Sequence, residues 1–424
     1  MESGIDEGRV PCTVEGCGRT ILPQTAKRTG GICRPCEQRF AREAHEAYVR
    51  ANQRVVDPYA GVSDPLELLA LLLESRPRNE LIVEKPFEGS VAQLVATLSP
   101  QQTAAAHDLA ISYLHLEAKE DRWAQLSRWL ACFSDVDLTR LQLAAIAAGT
   151  LYPSIVFRGA RPSVVQMLLD SLPDGPLGVD QVLLALAWAG GDAVRDQFAL
   201  WRRAPPVWRE RLHIAPHQYA SEAAWELDEI GNRRELSHAT AFALVAANGP
   251  GLVSPVRVGL PSPATCPWCS GPLSRLLWVD NAAGEVADLH LPPLVETCAL
   301  CTCYGPIFMQ LDGNSPRWHS HNMRPKYLPA ERGEPLVPTQ DLVLGPRRGP
   351  LGAADWTLPT SLSQLGGVPG WIQDAGYPTC PGCSRTMRCI AQIAVDEIEP
   401  PAEGMYYALW CAECRVTATT YQQT

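Results

Sequence analysis

The chain has 424 residues, 46% hydrophobic and 19% charged, which is room for several domains with sizeable cores and too apolar for a disordered protein. Its formal charge of −10 is spread as nine basic against eight acidic side chains in residues 1–60, sixteen against twenty-three in 61–250, and eleven against fifteen in 251–424. No segment has the dense positive face that phosphate contacts require, which argues against a nucleic-acid partner, and none is long and apolar enough to cross a bilayer.

The first residues, Met1 to Val10, are polar and acidic rather than a signal peptide, so a cytoplasmic protein is expected. A reducing compartment suits thiolates that hold metal better than thiols that pair. Residues 1–57 read as a small metal module followed by a helix. Cys12, Cys17, Cys33 and Cys36 form two close pairs, with Gly16, Gly18, Gly30 and Gly31 allowing the tight turns that aim sulfurs at one point. From Glu37 to Gln53 nothing interrupts a helix. Such a module has almost no apolar core, and zinc binding supplies on the order of 10–16 kcal/mol in peptides of this kind.

Residues 58–248 read as an all-α domain. Ser99-Pro100-Gln101-Gln102 is a capping box with proline in the first turn. Leu126, Trp129, Leu130 and Phe133 make an i, i+3, i+4, i+7 stripe, and Val165, Leu168, Leu169 and Leu172 repeat the spacing, as do Val179, Val182, Leu183 and Leu186. Gly190-Gly191 breaks the chain, and Asp192 is placed to cap a helix carrying Val194, Phe198 and Trp201. Brief turns between short apolar-faced helices resemble HEAT-like stacked hairpins. Without a crisp period, an irregular helical domain is the alternative.

Residues 249–424 hold most of the thirty-seven prolines, and helical periodicity vanishes. Leu276 to Val279, Ile390 to Val395 and Tyr406 to Trp410 read as strands of a β-rich domain. This region repeats itself: Cys266-Pro267-Trp268-Cys269-Ser270 matches Cys380-Pro381-Gly382-Cys383-Ser384. The inner cysteines, Cys269 to Cys298 and Cys383 to Cys411, lie 29 and 28 residues apart. Two related zinc-ribbon units, packed as a pseudo-symmetric pair, are expected. The fold class is therefore α+β multidomain: an N-terminal zinc module, a helical middle and a duplicated ribbon domain.

Three four-cysteine sets follow: Cys12, Cys17, Cys33, Cys36; Cys266, Cys269, Cys298, Cys301; and Cys380, Cys383, Cys411, Cys414. Two close pairs joined by a longer segment match a tetrahedral Zn2+ site, and four thiolates leave no open position, so three structural zinc ions are expected and no chemistry at them. Cys301 is preferred to Cys303 because it restores the two-residue gap after Cys298. Cys132 reads as a packed thiol, and Cys389, just after a ribbon knuckle, as packed or half exposed.

The stretch Leu365-Gly366-Gly367-Val368-Pro369-Gly370-Trp371-Ile372-Gln373, running into Tyr377-Pro378 and the third cysteine pair, resembles the bacterial YwqG-like domain. It is similar also to the eukaryotic programmed cell death protein 2 family. The resemblance covers about the last 70 residues, and residues 250–424 loosely. It implies protein binding rather than catalysis: a chaperone-like, adaptor or toxin-immunity role. Gly366, Gly367, Pro369, Trp371 and Gln373 are candidate partner-binding residues on this reading, with plugging of the core as the bland alternative.

Trp318-His319-Ser320-His321-Asn322 is the histidine cluster of the β region. Alternation along an extended segment puts His319 and His321 on one face, where they could hold a metal or move a proton. A metal-dependent hydrolase is thus a second reading, and Trp318, His319 and Asn322 join the partner-contact candidates. An RNA-binding zinc ribbon is a third. Trp201, Trp208 and Trp225 cluster with Arg202, Arg203, Arg209 and Arg211, either as an interface anchor or as the cap of the helical domain. The leading expectation is a non-enzymatic zinc protein that binds another protein.

Overall fold

A computed structural model describes residues 8–115, 121–172, 178–247, 254–280 and 284–424. Most of the Met1–Val10 stretch and the border placed between 248 and 249 lie outside the described residues. The chain divides into two compact units, Met1–Glu88 and Gly89–Thr424. No helix among the described residues is long and apolar enough to cross a membrane.

Within the first unit, a minimal hairpin of β1 (Val10–Pro11) and β2 (Thr20–Ile21) leads into α1 (Pro23–Thr29) and α2 (Arg34–Asn52). Ile21, Cys33 and Cys36 are buried, with Cys12, Val14, Cys17, Ala26 and Ile32 packed around them, so half of this small core is sulfur. Beyond α2, β3 (Arg54–Val56) pairs in parallel with β4 (Ile82–Glu84), with α3 (Pro65–Leu72) in the crossover. That parallel pair carries the unit on to Glu88, past the boundary expected at 57. A strand pair separated by about a helix in sequence leaves no local mark at the point where the unit ends.

In the second unit, α4 (Val91–Ala96), α5 (Pro100–Leu114), α6 (Arg122–Phe133), α7 (Thr139–Ala147), α8 (Pro162–Asp170), α9 (Val179–Ala189) and α10 (Gly191–Arg203) follow one another. The capping box is present: Gln102 N–H donates to Ser99 Oγ at 3.3 Å, and Ser99 N–H donates to Gln102 Oε1 at 3.0 Å. Each predicted stripe faces inward, with Leu126, Leu130, Leu168, Val182, Leu183, Leu186, Val194 and Phe198 all fully enclosed. Gly190, at φ +61, is the N-cap of α10 in place of Asp192, which sits in its first turn and pairs with Arg195 at 2.6 Å. Lengths run from 6 residues in α4 to 15 in α5, which fits the irregular arrangement better than a fixed HEAT period.

Helix gives way to strand earlier than the composition indicates. Three strands, β5 (Trp225–Leu227), β6 (Arg233–Glu235) and β7 (His238–Ala246), lie inside the stretch expected to be helical to 248. The sequence His-Ala-Thr-Ala-Phe-Ala-Leu-Val-Ala of β7 has fair helix propensity, but β7 sits mid-sheet with a partner on each side, and tertiary pairing overrides it.

The remaining strands are β8 (Val256–Thr265), β9 (Pro272–Val279), β10 (Leu294–Thr297), β11 (Ile307–Asp312), β12 (Ser315–Trp318), β13 (Leu342–Arg348), β14 (Gln364–Gly367), β15 (Arg388–Ala394), β16 (Met405–Cys411) and β17 (Val416–Gln422). With β7 they form one antiparallel sheet of eleven, in the order β10-β9-β8-β13-β7-β14-β15-β16-β17-β11-β12. The sheet curls until β10 lies beside β17, β11 and β12, so that it nearly closes. Strands β15 and β16 are apolar on both faces because each face has its own core. Ile390, Ile393, Tyr406 and Ala408 point into one, and Cys389, Met405, Tyr407 and Leu409 into the other. The helical part is joined to the segment between β13 and β14 by an Arg128–Asp355 ion pair at 2.6 Å, and to β5 by Trp225, whose indole N–H donates to the Ala187 carbonyl at 2.9 Å.

Gly366 and Gly367 end β14 at φ +69 and +71, and a Cβ on Gly366 would lie 2.2 Å from the Thr240 carbonyl oxygen. Gly313 also has positive φ, +59, but open space around it. Gly313→Ala should therefore cost about 1 kcal/mol of conformational strain. Gly366→Ala should cost roughly 3 kcal/mol or more, because backbone must also move. Denaturant midpoints of the two variants give the comparison, and equal losses would mean that the β14–β7 contact is not as close as described.

Candidate metal centres

Every predicted cysteine set assembles. In each of the three, all four sulfurs lie within 4.8 Å of one another. Individual separations are 3.5 Å for Cys17–Cys33, 3.4 Å for Cys17–Cys36, 3.7 Å for Cys266–Cys301, 3.6 Å for Cys269–Cys298 and 3.7 Å for Cys383–Cys411. A disulfide needs sulfurs about 2.05 Å apart. Four thiolates at about 2.3 Å from one ion stand about 3.8 Å from each other, close to what is seen. The geometry is that of three four-sulfur metal sites.

The backbone shapes the leading pair of the second and third sets in the same way, whereas Cys33 and Cys298 open helices. In the second, Ser270 N–H donates to the Cys266 carbonyl at 2.9 Å, and Cys266 N–H donates to the Gly271 carbonyl at 2.7 Å. In the third, Ser384 N–H reaches the Cys380 carbonyl at 2.8 Å, and Cys380 N–H reaches the Arg385 carbonyl at 2.8 Å. These rings turn the chain so sharply that Ser270 and Ser384 take φ of +60 and +59. Gly18 does the same after Cys17, at φ +63. The turns also aim amide protons at sulfur: Trp268 N–H at Cys266, Gly271 N–H at Cys269 and Gly382 N–H at Cys380, each at 3.4 Å. Donors of that kind stabilise thiolate over thiol.

Electrostatics within a set explains why it calls for a cation. In the first, the Cys12 thiol is drawn down to about 7, first by the Cys33 backbone N–H, while Cys36 is pushed up to about 12, first by its hydrogen bond with Cys17. In the second, the hydrogen bond between Cys298 and Cys266 lowers Cys266 and raises Cys298. One thiolate in each cluster makes the next harder to form, and only a multivalent cation lets all four ionise.

The two cysteine segments place their strands in the same chain order but pair them differently: β16 ladders with both β15 and β17, whereas β10 pairs with β9 and not with β11. One pair opens β9 and the other precedes β15; β10 and β16 return to deliver Cys298 and Cys411; β11 and β17 follow the last pair. The strands β11 and β17 pair with each other antiparallel, Phe308 opposite Ala418, and so join the two segments in one sheet. Where the third set has Gly382, whose Cβ would fall 2.8 Å from Cys414 Sγ, the second has Trp268, stacked edge-on against Trp318 at 5.2 Å. The second set also has a cover with no obvious motif: a Cβ on Gly333 would sit 3.2 Å from Cys269 Sγ and 3.0 Å from Leu300 Cβ, so the loop passes close over the cluster and a larger residue would press on it.

The remaining thiols stand apart. Cys303 is exposed and its Sγ turns to the Ala299 carbonyl, 3.4 Å away. Cys132 and Cys389 are buried, and burial pushes both thiols up, Cys389 to about 12.

The other candidate residues do not form a ligand-binding surface. Gly366, Gly367, Pro369 and Trp371 are buried, so they cannot present themselves to a partner. Trp371 lies 4.1 Å from the Tyr407 ring and 4.9 Å from Tyr377, covering the outer face of β16. Gln373 is exposed but ties the chain end, its side chain donating to the Gln423 carbonyl at 3.0 Å. The signature is thus the plug rather than the groove. Asn322 clasps the Phe308 backbone through both amide atoms, at 2.9 and 2.8 Å. His319 and His321 lie in a turn after β12 rather than on an extended strand, and His319 Nδ1 accepts the His321 backbone N–H at 3.0 Å. Neither enters a cluster of three metal-ligating side chains among the described residues. Trp225, Trp201 and Phe198 form a packed stack under α10, with Trp208 edge-on to Trp201 at 5.2 Å.

Cys298→Ser should lose one equivalent of bound metal and destabilise the second unit by several kcal/mol, whereas Cys303→Ser should keep the metal content and stability of the parent protein. Elemental analysis with thermal denaturation of both variants decides between Cys301 and Cys303 as the partner of Cys298. Metal loss in Cys303→Ser would reverse the assignment.

No protein-family model and no solved structure matches this chain. Uncharacterized protein YpfL of Salmonella typhimurium is 36% identical to it over 429 residues, a match covering 99% of this chain and 100% of that protein. Identity at that level from end to end, taking in all three cysteine sets and the sheet between them, means that the chain belongs to the YpfL family.

Proposed function

We propose that the protein is a non-enzymatic adaptor, held together by three structural Zn2+ ions, that binds another protein through the exposed face of α2. Zinc is the ion that four-thiolate tetrahedra of this spacing suit best, and such a shell leaves it no position for water or substrate. The observation that carries the binding reading is the state of α2. Of its 19 residues only Cys36 is buried. Arg42, His45, Glu46 and Val49 turn toward a cavity of about 800 Å3 shared with residues 76–84. At 100° per residue, Phe40, Ala44 and Tyr48 fall on the opposite side. Phe40 is 40% and Tyr48 57% exposed. Val55 and Val83, on the parallel ribbon of the same unit, are exposed as well. Aromatic side chains left open on a helix of this length mark a recognition surface more often than they serve the helix itself.

The resemblance of residues 365–373 to YwqG-like and programmed cell death protein 2-like sequences supports a chaperone-like or immunity role over chemistry. It lends no contact residues, because that segment packs inside. Phe40→Glu combined with Tyr48→Glu should abolish capture of a cross-linked partner in the native host while zinc stays at three ions per chain. A variant that keeps the partner at parent levels removes α2 from the interface. Parent protein that holds fewer than three zinc ions removes the metal half of the proposal.

A further inference from the structure

The segment 234–238 runs alongside 386–389. Arg234 Nη2 donates to the Thr386 carbonyl at 2.7 Å, and Cys389 N–H donates to the Leu236 carbonyl at 2.8 Å. This brings Arg234, His238 and Arg388 to one cavity of about 430 Å3, walled also by His290 and Trp410. Its basic groups are not equivalent. Arg234 is matched by Glu226, and Arg385 at the same cavity by Glu413. The Arg388 guanidinium, half buried, makes no hydrogen bond and no ion pair among the described residues, and neither does the His238 ring. Burial and then Arg234 push the Arg388 pKa down; burial and then Arg388 and His290 hold His238 at about 4, hence neutral and able to donate one N–H. The Trp410 indole N–H, buried, also lacks an acceptor. Of these donors only the Trp410 N–H is buried without an acceptor, which is the costly case; Arg388 and His238 are half-buried and face the cavity, where a ligand would meet them.

We propose that this cavity binds a single carboxylate group, gripped by the Arg388 guanidinium with His238 as a second donor. A planar guanidinium matches a carboxylate through two parallel hydrogen bonds. A monoanion fits better than phosphate: of the three arginines at the cavity only Arg388 makes no ion pair, the Glu235 charge already offsets part of its own, and the exposed Asp288 at the rim repels a second negative charge. The site lies in the second unit and does not depend on the docking role proposed for α2. The carboxylate could belong to a small acid or to the end or side chain of a polypeptide, chemistry that is shared.

Calorimetric titration of the full-length zinc-loaded protein tests it with four probes: acetate, a short peptide with a free C-terminus and no acidic side chain, the same peptide amidated, and inorganic phosphate. Saturable binding of acetate or the free peptide, with none of the amide, is expected. Arg388→Gln should weaken it about tenfold or more, as loss of a charged hydrogen bond does. Free peptide binding at least about tenfold tighter than acetate assigns a polypeptide source; equal binding assigns a small acid. The site is overturned if neither acid binds, if the amide binds equally, or if Arg388→Gln binds like the parent. Phosphate binding more tightly than both overturns the carboxylate. Should Arg388→Gln misfold, the comparison of acid with amide on the parent protein decides alone.

Discussion

Four sulfurs held within 4.8 Å of each other are the constraint on which this protein rests. Left as thiols they are poor company, since a first ionisation opposes the next; given a divalent cation they become the strongest cross-link in their neighbourhood. At the start of the first unit the cluster stands in for a hydrophobic core, because Ile21 is the one buried aliphatic in its cluster among the described residues. In the sheet the two clusters do a different job. Each fixes the bend where a strand pair reverses, and each sits in a core that already contains Leu273, Ile307 and Met309, or Met387, Leu409 and Val416. A cation bound there would thus be the core of one region and a staple in another.

The ribbon copies are joined to each other rather than folded separately. Their equivalent strands β11 and β17 share a ladder, and four strands from outside the duplication, β8, β13, β7 and β14, fill the gap between β9 and β15. Such a sheet has room for two apolar faces along β15 and β16, which is why the outer face needs a cover. The Gly366–Gln373 segment supplies it, with Trp371 over Tyr407. The left-handed glycines let the chain leave β14 against the Thr240 backbone and cross to that face.

What was legible in the sequence was whatever lies close together along the chain. Cysteine pairs with two or four residues between them, the Ser99 capping box and the helical stripes of α6, α8 and α9 all report on neighbours within two turns, and all appear as read. What was hidden depends on distant partners. The parallel β3–β4 pair extends the first unit to Glu88, and β7, alanine-rich, is a strand only because β13 and β14 flank it. The burial of Trp371 is settled by Tyr407, and the histidine turn by Phe308. The juxtaposition of Arg388 with His238 spans 150 positions and no local pattern announces it.

The position of β7 in the sheet also bears on how the chain is made. It leaves the ribosome about a hundred residues before β13 and more than a hundred before β14, the two strands it pairs with. The last strand to emerge, β17, is the one that joins the two ribbon copies. A nascent chain therefore carries an unpaired apolar strand through most of the synthesis of this region, and the sheet closes only once β17 has emerged. Connections of such long range fold slowly and expose sticky intermediates. The early first ribbon, complete once Cys301 has emerged, can capture its ion during translation and shorten that vulnerable interval.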